Sequence, residues 1–182
     1  MYTLYVVATV RGMTILDNIM YVVCDGSYCY RIRRYNKNTY GRLKPDIKVD
    51  GMEKPFDIVV CRNDRQLYVA DWDHCIWQVS VDGHSFVNWL AIDLEKFNNP
   101  TLSLTSRRLL LTSTTADKPN ILQYSTAERR RLRVIRLRWY VEELYHAAET
   151  TRDTFVVSHK GTSQDKEQFV VSELFAFCHS CE

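Results

Sequence analysis

Glycine is scarce in this sequence, with only six among 182 residues. Phosphate-binding loops and the sharp turn that presents a nucleophilic serine need clustered glycines. The chain has no Gly-x-Gly-x-x-Gly, Walker or Gly-x-Ser-x-Gly pattern, and it also lacks a His-Glu-x-x-His zinc motif. We therefore predict a protein that is not an enzyme and holds no cofactor.

Long hydrophobic runs are missing as well. The longest apolar stretches, such as 109–111, have the length of part of a strand, whereas about 20 residues are needed to cross a bilayer. The first residues lack the positive charge that begins a secretory signal, and no Asn-x-Ser/Thr glycosylation site occurs. These features predict a soluble, cytoplasmic protein that does not associate with membranes.

Neither sign of charge dominates, since 24 lysines and arginines face 22 aspartates and glutamates. The chain as a whole is therefore not a polycation that binds nucleic acid by net charge, and any electrostatic site must be local. With 46% hydrophobic residues, the chain has enough apolar side chains to bury a core of its own.

A repeated order of short β-type runs is the main feature that is present. From Pro55, four such runs alternate with polar turns, which is typical of a four-stranded antiparallel meander. The same order recurs before and after this unit. Aligning the second run of each unit brings four residues into register, with spacings of 47, 42 and 45: Tyr21, Tyr68, Leu110 and Phe155. Spacings of about 40 to 50 residues are typical of β-propeller blades.

The unit that begins at Pro55 resembles the NHL type of six-bladed propeller, which belongs with the TolB-like propellers. The residues that match the family pattern are Pro55, Tyr68, Asp71, Trp72, Asp82 and Gly83. The resemblance implies that the aspartate after the second strand satisfies backbone donors in the following turn. The other units depart from the pattern there, with Cys24, Ser113 and Ser158.

We therefore predict an all-β fold of four four-stranded antiparallel meanders in a single domain over 1–182. The blade units span 12–50, 55–93, 100–138 and 144–177, and a further strand covers 4–10. The fourth unit has no outer strand of its own after Phe177. The N-terminal strand closes a compact four-bladed ring in one alternative. In the other, the chain is a partial ring whose open edges tend to self-associate.

Residues 127–149 conflict with this prediction locally, because they contain many good helix formers and neither glycine nor proline. Their flanks fall on strand and turn positions of the repeat. Since tertiary context overrides local propensity, we expect strands here.

Six arginines between Arg129 and Arg138 form the sharpest electrostatic feature. Alternation along a strand would place Arg129, Arg131 and Arg133 on one side and Arg136 on the other, with Leu132 and Val134. Such a strand is typical of a blade's outer edge, where arginines oppose edge pairing. The functional alternative is a contact surface for RNA or a protein partner that includes Arg129, Arg130, Arg131 and Arg133. A second, smaller basic cluster lies at 30–35.

Cysteine and histidine give weaker indications. Cys178 and Cys181 have the spacing of half a zinc site, but no second pair completes it. Cys24 and Cys29 flank a turn, so a disulfide between them is geometrically conceivable. The remaining thiols Cys61 and Cys75, like Cys24, are expected as small buried hydrophobes. Most of the five histidines fall at turns or strand ends, where solvated or turn-bonding side chains are expected.

The function predicted from these features is a non-catalytic protein–protein interaction module. One alternative is single-stranded RNA binding through the arginine-rich edge. A second is a hydrolase-like propeller with a metal in its channel. Some NHL-type propellers bind RNA, and relatives often follow ubiquitin-ligase domains; no such domain lies in this sequence.

Overall fold

The computed structural model describes residues 9–24, 31–71, 75–91, 98–105, 107–114, 119–137, 144–151, 154–160 and 169–175. Side chains are described for all of these except 98–99, 113–114, 119 and 169–175. The regular elements in these ranges are strands, and no membrane-spanning helix is found among them.

Fifteen strands form in the described ranges. In chain order they are β1 (Val10–Leu16), β2 (Ile19–Cys24), β3 (Arg31–Asn36), β4 (Arg42–Lys48), β5 (Pro55–Cys61), β6 (Gln66–Asp71), β7 (Cys75–Ser80), β8 (Phe86–Ala91), β9 (Asn98–Thr105), β10 (Arg108–Thr114), β11 (Pro119–Ser125), β12 (Arg130–Arg136), β13 (Leu144–Thr151), β14 (Thr154–Lys160) and β15 (Phe169–Phe175).

The strands form four antiparallel sheets, each of which follows chain order. Three of them have the four strands that the repeat predicts: β1–β4, β5–β8 and β9–β12. The fourth, β13–β15, has three strands rather than four within the described residues. The all-β prediction of antiparallel meanders is thus confirmed. Residues 4–8 of the predicted N-terminal strand lie outside the described residues, and Val10 begins β1 opposite Cys24.

The repeat correctly predicts four residues on second strands: Tyr21, Tyr68, Leu110 and Phe155 each lie on the second strand of a sheet and are at most 1% exposed. The first three are the third residue of their strands, but Phe155 is the second residue of β14. The predicted register of the fourth unit is therefore one residue out, and Val156 corresponds to Leu110. Phe155 shares a core with Leu110, as Leu67 does with Tyr21.

Residues 1–95 form one compact unit, which contains the sheets β1–β4 and β5–β8. Strands β1 and β2 contact β5, so the two sheets stack through their first strands. The interface is apolar and includes Tyr21, Ile32, Met52, Ile58 and Val69. Gly12 lets the backbones approach closely, because a Cβ there would lie 2.8 Å from the Asp57 Cα.

Residues 96–182 form the second unit, in which β9 and β10 contact β13 in the same way. Its core includes Leu110, Ile121, Ile135, Phe155 and Val157. Within the segment 127–149, residues 130–136 and 144–149 are strands, which agrees with the repeat rather than with helix propensity.

Candidate functional site

The arginine-rich strand β12 lies at the edge of the sheet β9–β12 and pairs with β11. Arg130, Arg131 and Arg136 are exposed, Arg133 is half-buried, and Ile135 is buried. The sequence pattern predicted that this arginine-rich strand lies at the edge of a sheet, and β12 does. We call four of the exposed side chains of this strand, those of Arg131, Leu132, Val134 and Arg136, the β12 surface.

A β-bulge changes which arginines share a face. Arg131 pairs with Tyr124 and Arg133 pairs with Gln123, so Leu132 is the extra residue between them. Tyr124 and Gln123 are consecutive on β11 and point to opposite faces, as must the arginines that pair with them. The expectation that Arg129, Arg131 and Arg133 lie on one side is therefore wrong. Alternation fails because the bulge adds a residue that sequence patterns do not reveal.

Arg133 points into the protein, where it joins a chain of polar contacts. Its Nε donates to the Gln123 Oε1 at 2.8 Å, and its guanidinium lies 5.5 Å from the centroid of the Phe155 ring. The Gln123 Nε2 donates to the Glu149 Oε2 at 3.2 Å, and the Glu149 Oε1 accepts from the Arg108 Nη1 at 3.0 Å. The Glu149 side chain is only 2% exposed, so these contacts satisfy a buried carboxylate.

This series of buried polar contacts was not predicted from the sequence. One feature of the sequence points to it: Glu149 shares a strand face with the buried Ala147, and a carboxylate on an inward face requires a partner. The partner itself was not predictable, because Gln123 and Arg108 come from other strands.

Two more of the candidate arginines, Arg129 and Arg130, lie in the turn before β12 and at its first residue. Arg129 has a left-handed backbone, with φ of 51°, and is exposed. The Arg130 Nε lies 2.5 Å from the Glu128 Oε2, and both side chains are more than half exposed. This pair is solvated, so its contribution to stability is small, and it neutralises one charge beside the strand.

The β12 surface combines apolar and basic groups. Leu132 and Val134 are 38% and 41% exposed. Val134 and Arg136 pair with Leu122 and Asn120, so they share a face with Arg131. Tyr124, opposite Arg131, is buried, and this burial raises the pKa of its phenol above the ordinary value while Arg131 opposes the rise. The surface thus offers two apolar side chains between two guanidinium groups, and no exposed ring beside them on β11.

The residues of the family pattern lie in the second sheet, where Asp71 has a structural role. Its Oδ2 accepts from the backbone N–H of Glu53 at 2.9 Å and from the indole of Trp77 at 3.1 Å, and its Oδ1 accepts from Lys54 N–H at 2.6 Å. The backbone donors that the structure describes therefore precede β5, whereas donors in the following turn were expected; residues 72–74 of that turn lie outside the described residues. Trp72 lies outside the described residues.

Asp82 and Gly83 form the turn between β7 and β8. The Asp82 Oδ1 accepts from the Ser80 hydroxyl at 2.6 Å and from His84 N–H at 2.9 Å. The Ser80 hydroxyl, followed by the His84 amide, lowers the pKa of the Asp82 carboxyl. Gly83 has φ of 82°, a conformation that side chains rarely adopt, and it lies against Ile47.

The other predicted positions lie apart from the β12 surface. In the smaller basic cluster, Tyr35 is buried, the Arg34 Nε donates to the Pro45 carbonyl at 3.1 Å, and Tyr30 lies outside the described residues. Cys24, Cys61 and Cys75 are buried as expected, whereas Cys29, Cys178 and Cys181 lie outside the described residues. His159 is 2% exposed within β14, which contradicts the expectation of a solvated side chain.

Among the described residues, no three His, Cys, Asp or Glu side chains come together as they do around a metal ion.

No protein-family profile and no curated protein sequence matches this chain. Solved structures do. A chain of the nidogen/laminin complex superposes with a TM-score of 0.67 and 15% identity over 85% of this chain. The WD40 β-propeller domain of Doa1 superposes with a TM-score of 0.61 and 14% identity over 93%. The fold is of the β-propeller type.

A third similar structure is the computationally designed Ika4 protein, with a TM-score of 0.62 and 14% identity over 95% of this chain. The chain spans 58% of the nidogen/laminin chain, 52% of the Doa1 chain and 94% of the Ika4 chain. At these identities the likeness establishes the fold, and binding properties must be argued from the residues of this chain.

Proposed function

We propose that this chain is a non-catalytic protein-interaction module of the β-propeller type and that it binds a protein partner through the β12 surface. One observation carries the proposal: Leu132 and Val134 are both exposed on an edge strand, at positions between Arg131 and Arg136 in the sequence. The buried core of a protein interface is more apolar than the rest of the protein surface, and arginine is enriched at interfaces.

RNA binding is the less favoured alternative. A reader of single-stranded RNA stacks bases on exposed aromatic rings next to its basic groups. The rings that lie beside these arginines are buried: Tyr124 opposite Arg131 is 5% exposed, and Phe155 beneath Arg133 is fully buried. The arginines can contact phosphates, but the described part of this sheet offers them no stacking surface.

Within the propeller class, we propose that the blades are of NHL type in one domain. Asp71 supports this, since it anchors the segment that leads into the proline-led strand β5 through two backbone N–H groups. Asp82 and Gly83 close the third strand in the turn that the family pattern requires. A cytoplasmic location is proposed with it.

The test is affinity purification with three baits from a cell extract, with and without nuclease treatment. These are the unaltered chain, the double variant Leu132→Ser/Val134→Ser, and the control variant Val87→Ser. Val87 is 42% exposed on the edge strand β8, so its substitution removes a comparable apolar side chain elsewhere. We expect a protein that is retained by the unaltered and control baits and lost with the double variant. Retention by all three baits, or recovery that depends on intact RNA, would refute the proposal.

A further inference from the structure

The β12 edge differs from the corresponding edges of the first two sheets. Strand β4 contains Pro45, which lacks the N–H that an added strand needs, and β8 has no charged residue. Strand β12 has no proline, and within the described residues it pairs only with β11. An edge strand directs about half of its backbone N–H and C=O groups away from its one neighbour. The outer side of β12 can therefore accept a further strand.

We propose that β12 binds an acidic, extended segment of a partner protein, which adds to the sheet as a further strand. This inference rests on the proposed function and specifies the partner's chemistry. Directly opposite residues on adjacent strands share a face. An added strand that follows β12 would therefore meet Arg136, then Val134, then Arg131 on one face. The complementary segment has an apolar residue with an acidic residue two positions before it and another about two positions after it.

Charge favours an acidic partner strand over a second copy of this chain. Strand β12 has four arginines and no acidic residue. Arg133 is engaged with Gln123 and Arg130 with Glu128, whereas Arg131 and Arg136 form no ion pair with other described residues. A second copy of the chain that paired edge to edge through β12 would bring arginines against arginines, which is repulsive. An acidic strand neutralises the two outward charges instead.

The first experiment measures fluorescence anisotropy of a labelled nine-residue peptide that carries this acidic–apolar–acidic pattern, at low salt, with the full chain. Reversing two exposed charges, in Arg131→Glu/Arg136→Glu, is expected to weaken binding about tenfold or more. The matched control is Arg62→Glu/Arg107→Glu, which makes the same change in charge at two other exposed arginines and is expected to alter binding less than about twofold. Equal loss in both variants would overturn the proposal, because binding would then follow net charge.

The second experiment tests strand addition itself. Two isomers of the peptide carry N-methyl groups on alternate amides. One isomer is methylated on the odd-numbered amides and the other on the even-numbered amides. An added strand uses one set of amides for the ladder, so one isomer is expected to lose binding and the other to keep it. Equal binding of the two isomers would overturn the proposal. So would displacement of the peptide by polyuridine RNA with the same dependence on Arg131 and Arg136.

The outcomes also separate this inference from the proposed function. If the extract partner depends on Leu132 and Val134 while the acidic peptide does not bind, the interaction module stands and the strand-addition inference fails. If neither the partner nor the peptide depends on the β12 surface, both fail.

Discussion

Replacing Asp71 by alanine tests whether a single carboxylate holds the start of the second sheet. Asp71 is 3% exposed and accepts three hydrogen bonds, from the backbone of Glu53 and Lys54 and from the indole of Trp77. Without the carboxylate, the three donors lose their acceptors at the same time. Trp77 also packs edge-on against Phe86, so the loss reaches the third and fourth strands.

The magnitude follows from the number and setting of these bonds. A hydrogen bond to a charged group contributes about 1.5–3 kcal/mol to stability. Glu53 and Lys54 are exposed, so water can satisfy their backbone N–H groups once the carboxylate is gone. The lower end of this range of hydrogen-bond energies therefore applies to them. We expect Asp71→Ala to lower the free energy of unfolding by about 4.5–6 kcal/mol, a large share of the stability of an ordinary domain.

Urea unfolding followed by tryptophan fluorescence measures the change, and amide hydrogen exchange at Glu53 and Lys54 localises it. The control is Ser158→Ala in the second strand of the fourth unit, where the hydroxyl donates one long bond of 3.4 Å to the His146 carbonyl. We expect it to cost less than about 1 kcal/mol. If the two variants cost the same, or if exchange at Glu53 and Lys54 does not change, the anchoring role of Asp71 is refuted.

Three further predictions concern close packing, thiol chemistry and titration. Gly12→Ala should lower the free energy of unfolding by about 2 kcal/mol or more, because the added Cβ would lie 2.8 Å from the Ile58 backbone nitrogen. The control in the same urea assay is Gly41→Ala, where the added Cβ would lie 3.3 Å from the Thr39 hydroxyl oxygen. Burial, followed by the nearby Asp71 charge, raises the pKa of the Cys75 thiol to about 12, so iodoacetamide should leave it unmodified in the native protein near neutral pH, and mass spectrometry that finds rapid labelling would contradict this. The pKa of Asp82 lies below the ordinary value of 3.8, so its turn is stabilised above that pH and loses the stabilisation as the pH falls through the lowered pKa. Ser80→Ala should raise the Asp82 pKa in a carbon NMR titration, and an unchanged value would show that the hydroxyl is not the cause.

The repeat made the fold predictable because each blade poses the same packing problem. A meander with two apolar faces must stack on a neighbour, so a large side chain recurs at the centre of the second strand. Tyr21, Tyr68 and Leu110 occupy this position, and their spacing aligns the first three sheets, whereas Phe155 lies one residue before it in β14. Local propensity was misleading at 127–149, where long arginine and leucine side chains are compatible with helix but the chain forms β12 and β13.

Tertiary partners were less predictable from the sequence. Asp71 was identified as a residue that satisfies backbone donors, but its donors come from residues 17 and 18 positions earlier in the chain. The direction was missed because a strand pattern does not show which loop lies beside a strand's end. His159 was misassigned for a related reason: it falls at the end of a strand in sequence, yet its ring is enclosed by neighbouring elements.

The bulge at Leu132 connects the interior of the second unit with its outer surface. A regular β12 would place Arg131 and Arg133 on the same face. If both pointed inward, a second guanidinium would be buried beside Gln123, where Glu149 already pairs with Arg108, and an unpaired buried charge is strongly destabilising. If both pointed outward, Gln123 would lose the donor at its Oε1 and Phe155 would lose the cation above its ring. One extra residue resolves the conflict, because it turns Arg133 toward the buried carboxylate chain and leaves Arg131 in solvent with Val134 and Arg136. The same irregularity that completes the core therefore creates the surface on which we expect a partner to bind.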